Sequence, residues 1–401
     1  MKTVAIIGGG ASGMAAAIAA AEDADNHILL YERQQRVGRK LLSTGNGRCN
    51  LTNTGAVPAR YHGGADFAAA ALTAFPPEAA LAFFRALGLV TVTEPGGRVY
   101  PLSDSANSVV DVLRFALQKD NVELRTAAPV TGIVRKGAGF LVRTGSGETA
   151  ADYVVVACGG CAGARLGGGK DGYELLKTLG HRRTGLYPAL APITTDPDYT
   201  RALKGVRTDA ALRLTGAAAG ESAGEIQFTE KGVSGPAAFE VSRAVSTAGD
   251  GPKTLHIDLL RALTPAQVEA LLRARRRNCP ALPAEELYTG VLHNRLGRMA
   301  VKYAGLSGTK PLGELTDGEL TAAAAAAKDF ALPVRGTEGF DAAQVTAGGM
   351  DTAQFDPRTL ESRLVPGLFA CGEVLDVDGD CGGFNLQWAW ASGRIAGRLG
   401  R

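Results

Sequence analysis

Thr3-Val4-Ala5-Ile6-Ile7 runs straight into Gly8-Gly9-Gly10-Ala11-Ser12-Gly13, and this junction decides the fold. The first five residues form a continuously apolar, β-branched run, as expected of a parallel strand buried on both faces. The next six spell G-x-G-x-x-G. Gly8 suits a tight turn, Gly10 lets backbone approach a pyrophosphate, and Gly13 lets a helix pack on the sheet. Met14 to Ala21 reads as a small-residue helix whose first amides would face the phosphates, and His27 to Tyr31 as a second strand ending at Glu32. Glu32 is placed to accept hydrogen bonds from a ribose diol, and an acid there disfavours a 2′-phosphate, hence NADP, at this site. Strand, motif, helix, strand and acid follow in order within ~30 residues, which separates this signature from an incidental glycine-rich turn.

Downstream, Arg33 to Ala65 contains no Asp or Glu, yet holds Arg33, Arg36, Arg39, Lys40, Arg48 and Arg60. Its centre reads Gly38-Arg39-Lys40-Leu41-Leu42-Ser43-Thr44-Gly45-Asn46-Gly47-Arg48-Cys49-Asn50-Leu51-Thr52-Asn53. A loop so rich in donors and short of apolar anchors is expected to be held by something anionic, a pyrophosphate or the electron-rich edge of a reduced flavin. The alternative is a solvated basic loop.

This stretch resembles the hallmark of the BaiN/RdsA flavoproteins, a family that also includes aminoacetone-oxidase-like enzymes. The resemblance extends to Glu225-Ile226-Gln227-Phe228-Thr229-Glu230-Lys231-Gly232-Val233-Ser234-Gly235-Pro236 and to almost everything after Val345. It implies an α/β protein with a Rossmann-like FAD-binding domain, two-part in sequence, and an inserted β-rich plus helical cap. The implied boundaries are 1–188 and 346–401 for the FAD domain and 189–345 for the insert, β-rich to about 262 and helical from about 263. The insert would cover the flavin and shape a substrate pocket.

Cofactor residues expected from motif and resemblance together are Gly8, Gly10, Ala11, Ser12, Gly13 and Glu32, then Arg33, Arg39, Lys40, Thr44, Gly45, Asn46 and Gly47. Val122 to Val156 reads as a small β-meander followed by the strand Tyr153 to Ala157. Val130 resembles the position whose backbone meets the adenine, and Cys158-Gly159 a turn that returns to the nucleotide. Gly167-Gly168-Gly169-Lys170-Asp171-Gly172 repeats G-x-G-x-x-G, but with no strand before it and no paired acid it reads as a helix start near the flavin. Near the C-terminus, Leu368-Phe369-Ala370 is a short strand before Cys371-Gly372-Glu373. Gly372 and Glu373 resemble the element that holds the ribityl chain and near phosphate. Gly382, Gly383, Phe384, Asn385 and Leu386 open a last helix, running to Leu399, whose positive end can face the flavin edge where charge gathers on reduction.

Catalytic candidates are Cys49 and its neighbour Arg48. A cation lowers a thiol's pKa, and a positioned thiol can supply the proton that accompanies hydride transfer to a C=C. The alternative is a buried small residue holding the loop. Cys158 and Cys161 form a C-x-x-C, raising a dithiol relay against the plainer role of a strand-end turn. No metal site is expected, because the cysteines and five histidines lack ligand spacing.

In the insert, Ile193 to His256 reads as short strands, and Thr264 to Lys328 as helical, with Thr264-Pro265 as cap and first position. Between 265 and 310 stand Arg273, Arg275, Arg276, Arg277, Arg295, Arg298, Lys302 and Lys310 against only Glu269, Glu285 and Glu286. That surplus is either a solvated basic face or a contact surface for RNA phosphates.

The bulk numbers close off other classes. A net charge of +3 gives no global argument for nucleic acid or membrane, and no apolar run approaches a bilayer span. Six cysteines in 401 residues are too sparse for a disulfide framework, making a reducing cytoplasm the default. By resemblance, three activities compete, with NAD(P)H as transient reductant in the reductases: reduction of a conjugated C=C in a steroid-like or other small-molecule enone, reduction of uridine in ribosomal RNA, and oxidation of a small amine by O2. A non-enzymatic flavin carrier is the fourth reading.

Overall fold

The computed structural model describes residues 1–401 and divides them into two units, Met1–Pro188 with Ala343–Arg401, and Ala189–Ala342. The second boundary falls three residues before the one the sequence suggests.

In the first unit, five parallel strands lie in the order Leu368–Ala370, Tyr153–Val156, Lys2–Ile7, Asn26–Tyr31 and Val122–Arg125. The first strand sits at the centre of this sheet, and Val4, Ala5 and Ile6 have no exposed surface, so a continuous apolar run is the only composition that suits it. Val122–Arg125, read above as part of the meander, instead forms the sheet edge. The meander itself is Val130–Lys136, Gly139–Thr144 and Gly147–Ala151.

The helix Ala11–Ala20 is buried at all but one position, and its small residues have a packing cause. It lies against the C-terminal helix Phe384–Ala396, begun two residues earlier than expected. A Cβ on Gly393 would stand 2.3 Å from the Ser12 carbonyl oxygen, and one on Gly397 2.3 Å from that of Ala16. Two helices this close need glycine facing alanine, and the contact ties the two ends of the chain together.

The second unit is a closed six-stranded barrel in the order Ile193–Thr195, Gly232–Ser234, Gly220–Phe228, Arg207–Gly216, Lys253–Asp258 and Phe330–Thr337. Two of these strands are long, and the stretch read as strands alone also holds the helix Pro236–Thr247. That helix buries Ala237, Ala238, Val241 and Val245 on one face. Three further helices, Pro265–Asn278, Asn294–Tyr303 and Asp317–Lys328, stand between the barrel strands Lys253–Asp258 and Phe330–Thr337, so the stretch expected to be helical also returns a strand that closes the barrel. The first and last begin with full capping boxes, Thr264 with Gln267 and Thr316 with Glu319. No single helix in the chain is long and apolar enough to cross a membrane.

Candidate functional site

The site of the first unit grows from the strand ends. Gly8 turns with φ +110, and a Cβ there would meet the Ala157 carbonyl oxygen at 2.4 Å. Gly13 lies tighter still, its absent Cβ 1.8 Å from the Gly8 oxygen. Gly10 faces the other way: nothing lies within 4 Å of where its Cβ would be, and the same holds at Gly159. Here the turn is dense behind and open in front, the shape needed for backbone to meet a ligand. No side chain caps the helix at Gly10, so the amides of Ala11, Ser12 and Gly13 keep an anion-binding end.

Glu32 is fixed by two backbone donors, Gly9 N to Oε2 at 2.8 Å and Gln34 N to Oε1 at 2.7 Å. Its remaining lone pairs suit a diol. Ala128 N donates to the Glu32 carbonyl at 2.9 Å, which brings Val130, at the start of the meander, to the same end of the sheet.

The basic loop is held differently from the sequence expectation. Its anions are the protein's own carboxylates. Arg33 pairs with Asp171 and donates to the Gly167 oxygen at 2.5 Å, so the second glycine-rich turn is a cradle for Arg33 at the start of the helix Asp171–Thr178. Lys40 donates to Glu373 at 2.9 Å, whose other oxygen accepts from Thr346 N at 2.8 Å. Arg60 pairs with Asp380. Apolar anchors exist too, since Val37, Leu41, Cys49 and Leu51 are buried. Arg39 lies exposed and donates to Gln34.

Thr44 donates to the Leu41 carbonyl, and Gly45 and Asn46 are both left-handed, followed by Gly47 at φ +84. This turn carries the chain into Cys49, whose expected activation fails. Cys49 has no exposed surface, and burial pushes its thiol up to about 12. Arg48 cannot counter that. Its guanidinium is bound by Glu94 and Asp104 and stacks 4.0 Å from the centre of the Tyr100 ring. Desolvation therefore outweighs the neighbouring cation, and Cys49 serves as a small buried residue. Cys158 is likewise pushed up to about 12, mainly by burial, and both it and Cys161 are free thiols.

The C-terminal segment closes the site. A Cβ on Gly372 would strike Ser12 Oγ at 2.4 Å, Gly372 N donates to Ser392 Oγ, and Trp388 Nε1 donates to the Gly372 carbonyl. Gly383, at φ +101, opens the last helix with no side-chain cap and packs against the Thr52 carbonyl. Asn53 donates to the Gly382 oxygen at 2.9 Å, Tyr61 to the Phe384 oxygen at 3.0 Å, and Trp390 to the Leu51 oxygen at 2.8 Å. Asn385 brackets Gly379 with two hydrogen bonds, and Leu386 is half-buried on the first turn. Two uncapped helix ends, one from each terminus of the chain, thus belong to one unit.

The chain matches the family described as HI0933-like protein Rossmann domain over residues 2–399. It belongs to that family. The hallmark quoted from Gly38 to Asn53 points to the same group, whose members are similar to this chain end to end. A 3-dehydro-bile acid delta(4,6)-reductase of Clostridium scindens is 38% identical over 99% of this chain and 98% of its own. A ribosomal RNA dihydrouridine synthase of Escherichia coli K12 is 30% identical over 96% and 95%. Among solved structures, the 3-ketosteroid delta1-dehydrogenase of Sterolibacterium denitrificans shares the fold at TM-score 0.51, with 13% identity and 99% of both chains covered. As a member of the HI0933-like family, the chain is a flavoprotein oxidoreductase.

The donor set fits such a cofactor. The open face at Gly10 and Gly159, the carboxylate of Glu32 and the two uncapped helix ends suit a diphosphate dinucleotide. One further residue fits and was missed in the sequence: Asn50 Oδ1 is buried with no hydrogen-bond partner, 2.9 Å from where a Gly383 Cβ would stand. A buried acceptor without a donor calls for one from a ligand. Its motif was legible, but its vacancy was not, because the helix end it faces lies more than 300 residues away.

Proposed function

We propose that this protein is a FAD-dependent reductase of a conjugated C=C in a steroid-like or other small enone, with NAD(P)H as the transient reductant. The carrying observation is whole-length similarity to a protein named as a bile-acid delta(4,6)-reductase, joined to a site whose donors suit FAD. Bound FAD would supply the hydride. Glu32 would hold the adenosine ribose, with Val130 backbone at the adenine. The amides of Ala11, Ser12 and Gly13 would hold the pyrophosphate, and Gly372 with Glu373 the ribityl chain. The mouth of the last helix at Gly383-Phe384-Asn385 and the spare acceptor of Asn50 would meet the flavin's pyrimidine edge, the helix end favouring negative charge there.

The second reading, ribosomal RNA dihydrouridine synthesis, has the similarity to the Escherichia coli enzyme in its favour. Half of the eight cations in its basic surface between Arg273 and Lys310 are paired with the protein's own carboxylates. Arg273 pairs with Glu269, Arg276 with Asp317, Arg298 with Glu286 and Lys310 with Glu319. Paired cations release fewer counterions on meeting a phosphate backbone.

Anaerobic mixing of the FAD-loaded protein with NADH or NADPH tests both. Bleaching near ~450 nm, followed by reoxidation with an enone and not with uridine-containing RNA, is the expected result. Bleaching by a small amine alone would replace the reductase with the oxidase, and a flavin reoxidised only by RNA would favour the second reading. A flavin that nothing oxidises or reduces leaves the carrier.

A further inference from the structure

With Cys49 sealed, a reduction of C=C lacks its proton donor, and one cluster at the mouth of the last helix is equipped to supply it. His62 lies on the strand Tyr61–Gly63, antiparallel to Val377–Gly379, directly opposite Asp378. Its Nε2 is 2.9 Å from Asp380 Oδ1, while Arg60 donates to Asp380 Oδ2 at 3.0 Å. Asp380 N in turn donates to the Arg60 carbonyl at 3.0 Å.

The carboxylate is largely covered, with 15% of its side chain exposed, whereas 39% of the imidazole is exposed. Asn385 Nδ2 donates to the Asp380 carbonyl at 3.3 Å, and the Arg60 guanidinium lies 5.3 Å from the Phe384 ring centre. The cluster is therefore anchored to the residues that open the helix. Its charged surroundings are Arg60 at the end of the turn just before its strand, Asp378 and Asp380 from the opposite strand and its extension, and Asp376, whose carboxyl lies beside Gly63. A carboxylate on one nitrogen of a partly exposed imidazole fixes the ring, the arrangement of an oriented general acid.

We propose that His62, positioned by Asp380, protonates the substrate at this site. The inference rests on the enone-reductase reading. Bound flavin, reduced by a nicotinamide, would supply hydride to one carbon of the C=C, leaving an enolate whose charge sits on the conjugated carbonyl oxygen. The enolate then takes a proton at the neighbouring carbon: the imidazolium N–H bond breaks, a C–H bond forms, and neutral imidazole regains its proton from water.

The test uses FAD-loaded wild type, His62→Gln and Asp380→Asn. With flavin prereduced by dithionite, reoxidation by an enone is followed from pH 6 to 10. The wild type is expected to slow on the alkaline side, as a reaction that uses a general acid does. His62→Gln should be about 10²- to 10³-fold slower and lack that limb. Asp380→Asn, altering a positioning residue, should move the limb while keeping part of the rate. A readout independent of turnover is binding of a substituted phenol, an enolate mimic, to the oxidised protein, followed by the flavin band. Its pH dependence should change in His62→Gln while FAD retention and melting temperature stay put. Equal rates with an unchanged alkaline limb, or phenol binding indifferent to His62, would overturn the assignment. A wild type that reduces no enone, but binds phenol in a His62-dependent way, would overturn the substrate class and leave His62 as the ligand-protonating residue. If His62→Gln fails to fold, Asp380→Asn decides, and an unmoved limb counts against the dyad.

Discussion

Cys49 and Glu32 show how one residue's surroundings set its chemistry. The Cys49 thiol has no exposed surface and is pushed up to about 12 by burial. Cys49→Ala should therefore keep the rate within about tenfold, where loss of a true general acid costs about 10²- to 10⁴-fold. Iodoacetamide at pH 8 should leave Cys49 unlabelled in the native protein and label it after denaturation, as mass spectrometry would read; rapid native labelling would contradict the burial argument. Glu32 is the reverse case, a half-buried carboxylate oriented by Gly9 and Gln34 amides. Removing its charge with Glu32→Gln weakens the hydrogen bonds it would make to a ribose, by about 1.5–3 kcal/mol. FAD affinity measured by fluorescence should fall about ten- to hundredfold, and an unchanged affinity would remove Glu32 from the site.

Among elements, the helix Asp317–Lys328 owes its start to Thr316 and Glu319, and Lys310 binds the same carboxylate at 2.8 Å. These contacts, Lys310 foremost and the Thr316 amide next, hold Glu319 well down, at about 2. A depressed carboxylate adds stability above its unfolded value of about 4.3, and that share is lost as pH falls toward about 2. The melting-temperature difference between wild type and Glu319→Gln should thus be full at pH 6 and shrink across that acid window; a difference that is constant with pH would refute the linkage. The helix Ala11–Ala20 depends instead on close approach to the last helix. A Cβ at Gly397 would stand 2.3 Å from the Ala16 carbonyl, so Gly397→Val should cost about 1–3 kcal/mol through forced separation, read as a lowered denaturation midpoint.

For the whole molecule, the candidate cofactor site joins the first fifty residues to the last thirty. Adding FAD to the apoprotein should slow amide exchange in Gly8–Gly13 and Gly382–Leu386 together, since a ligand that binds only the folded site stabilises all of it. Protection at one end alone would show that the two ends do not share a ligand. The sequence by itself determined the strand–glycine–helix–strand–acid unit, the family, and the return of the chain to that unit near its end, because those features rest on local order: apolar runs, glycine spacing and one acid at a set distance. It also marked the cap at Thr264, though not the one at Thr316. Only the tertiary structure decided which cations are paired and that the Cys49 thiol is buried. Arg48 meets Glu94 and Asp104, and Lys40 meets Glu373, across gaps that no periodicity spans. It also placed Asp380 on His62, and closed the insert's strands into a barrel with a helix among them. Burial and ion pairing depend on what the folded chain brings close, and a linear pattern of residue types carries no record of that distance.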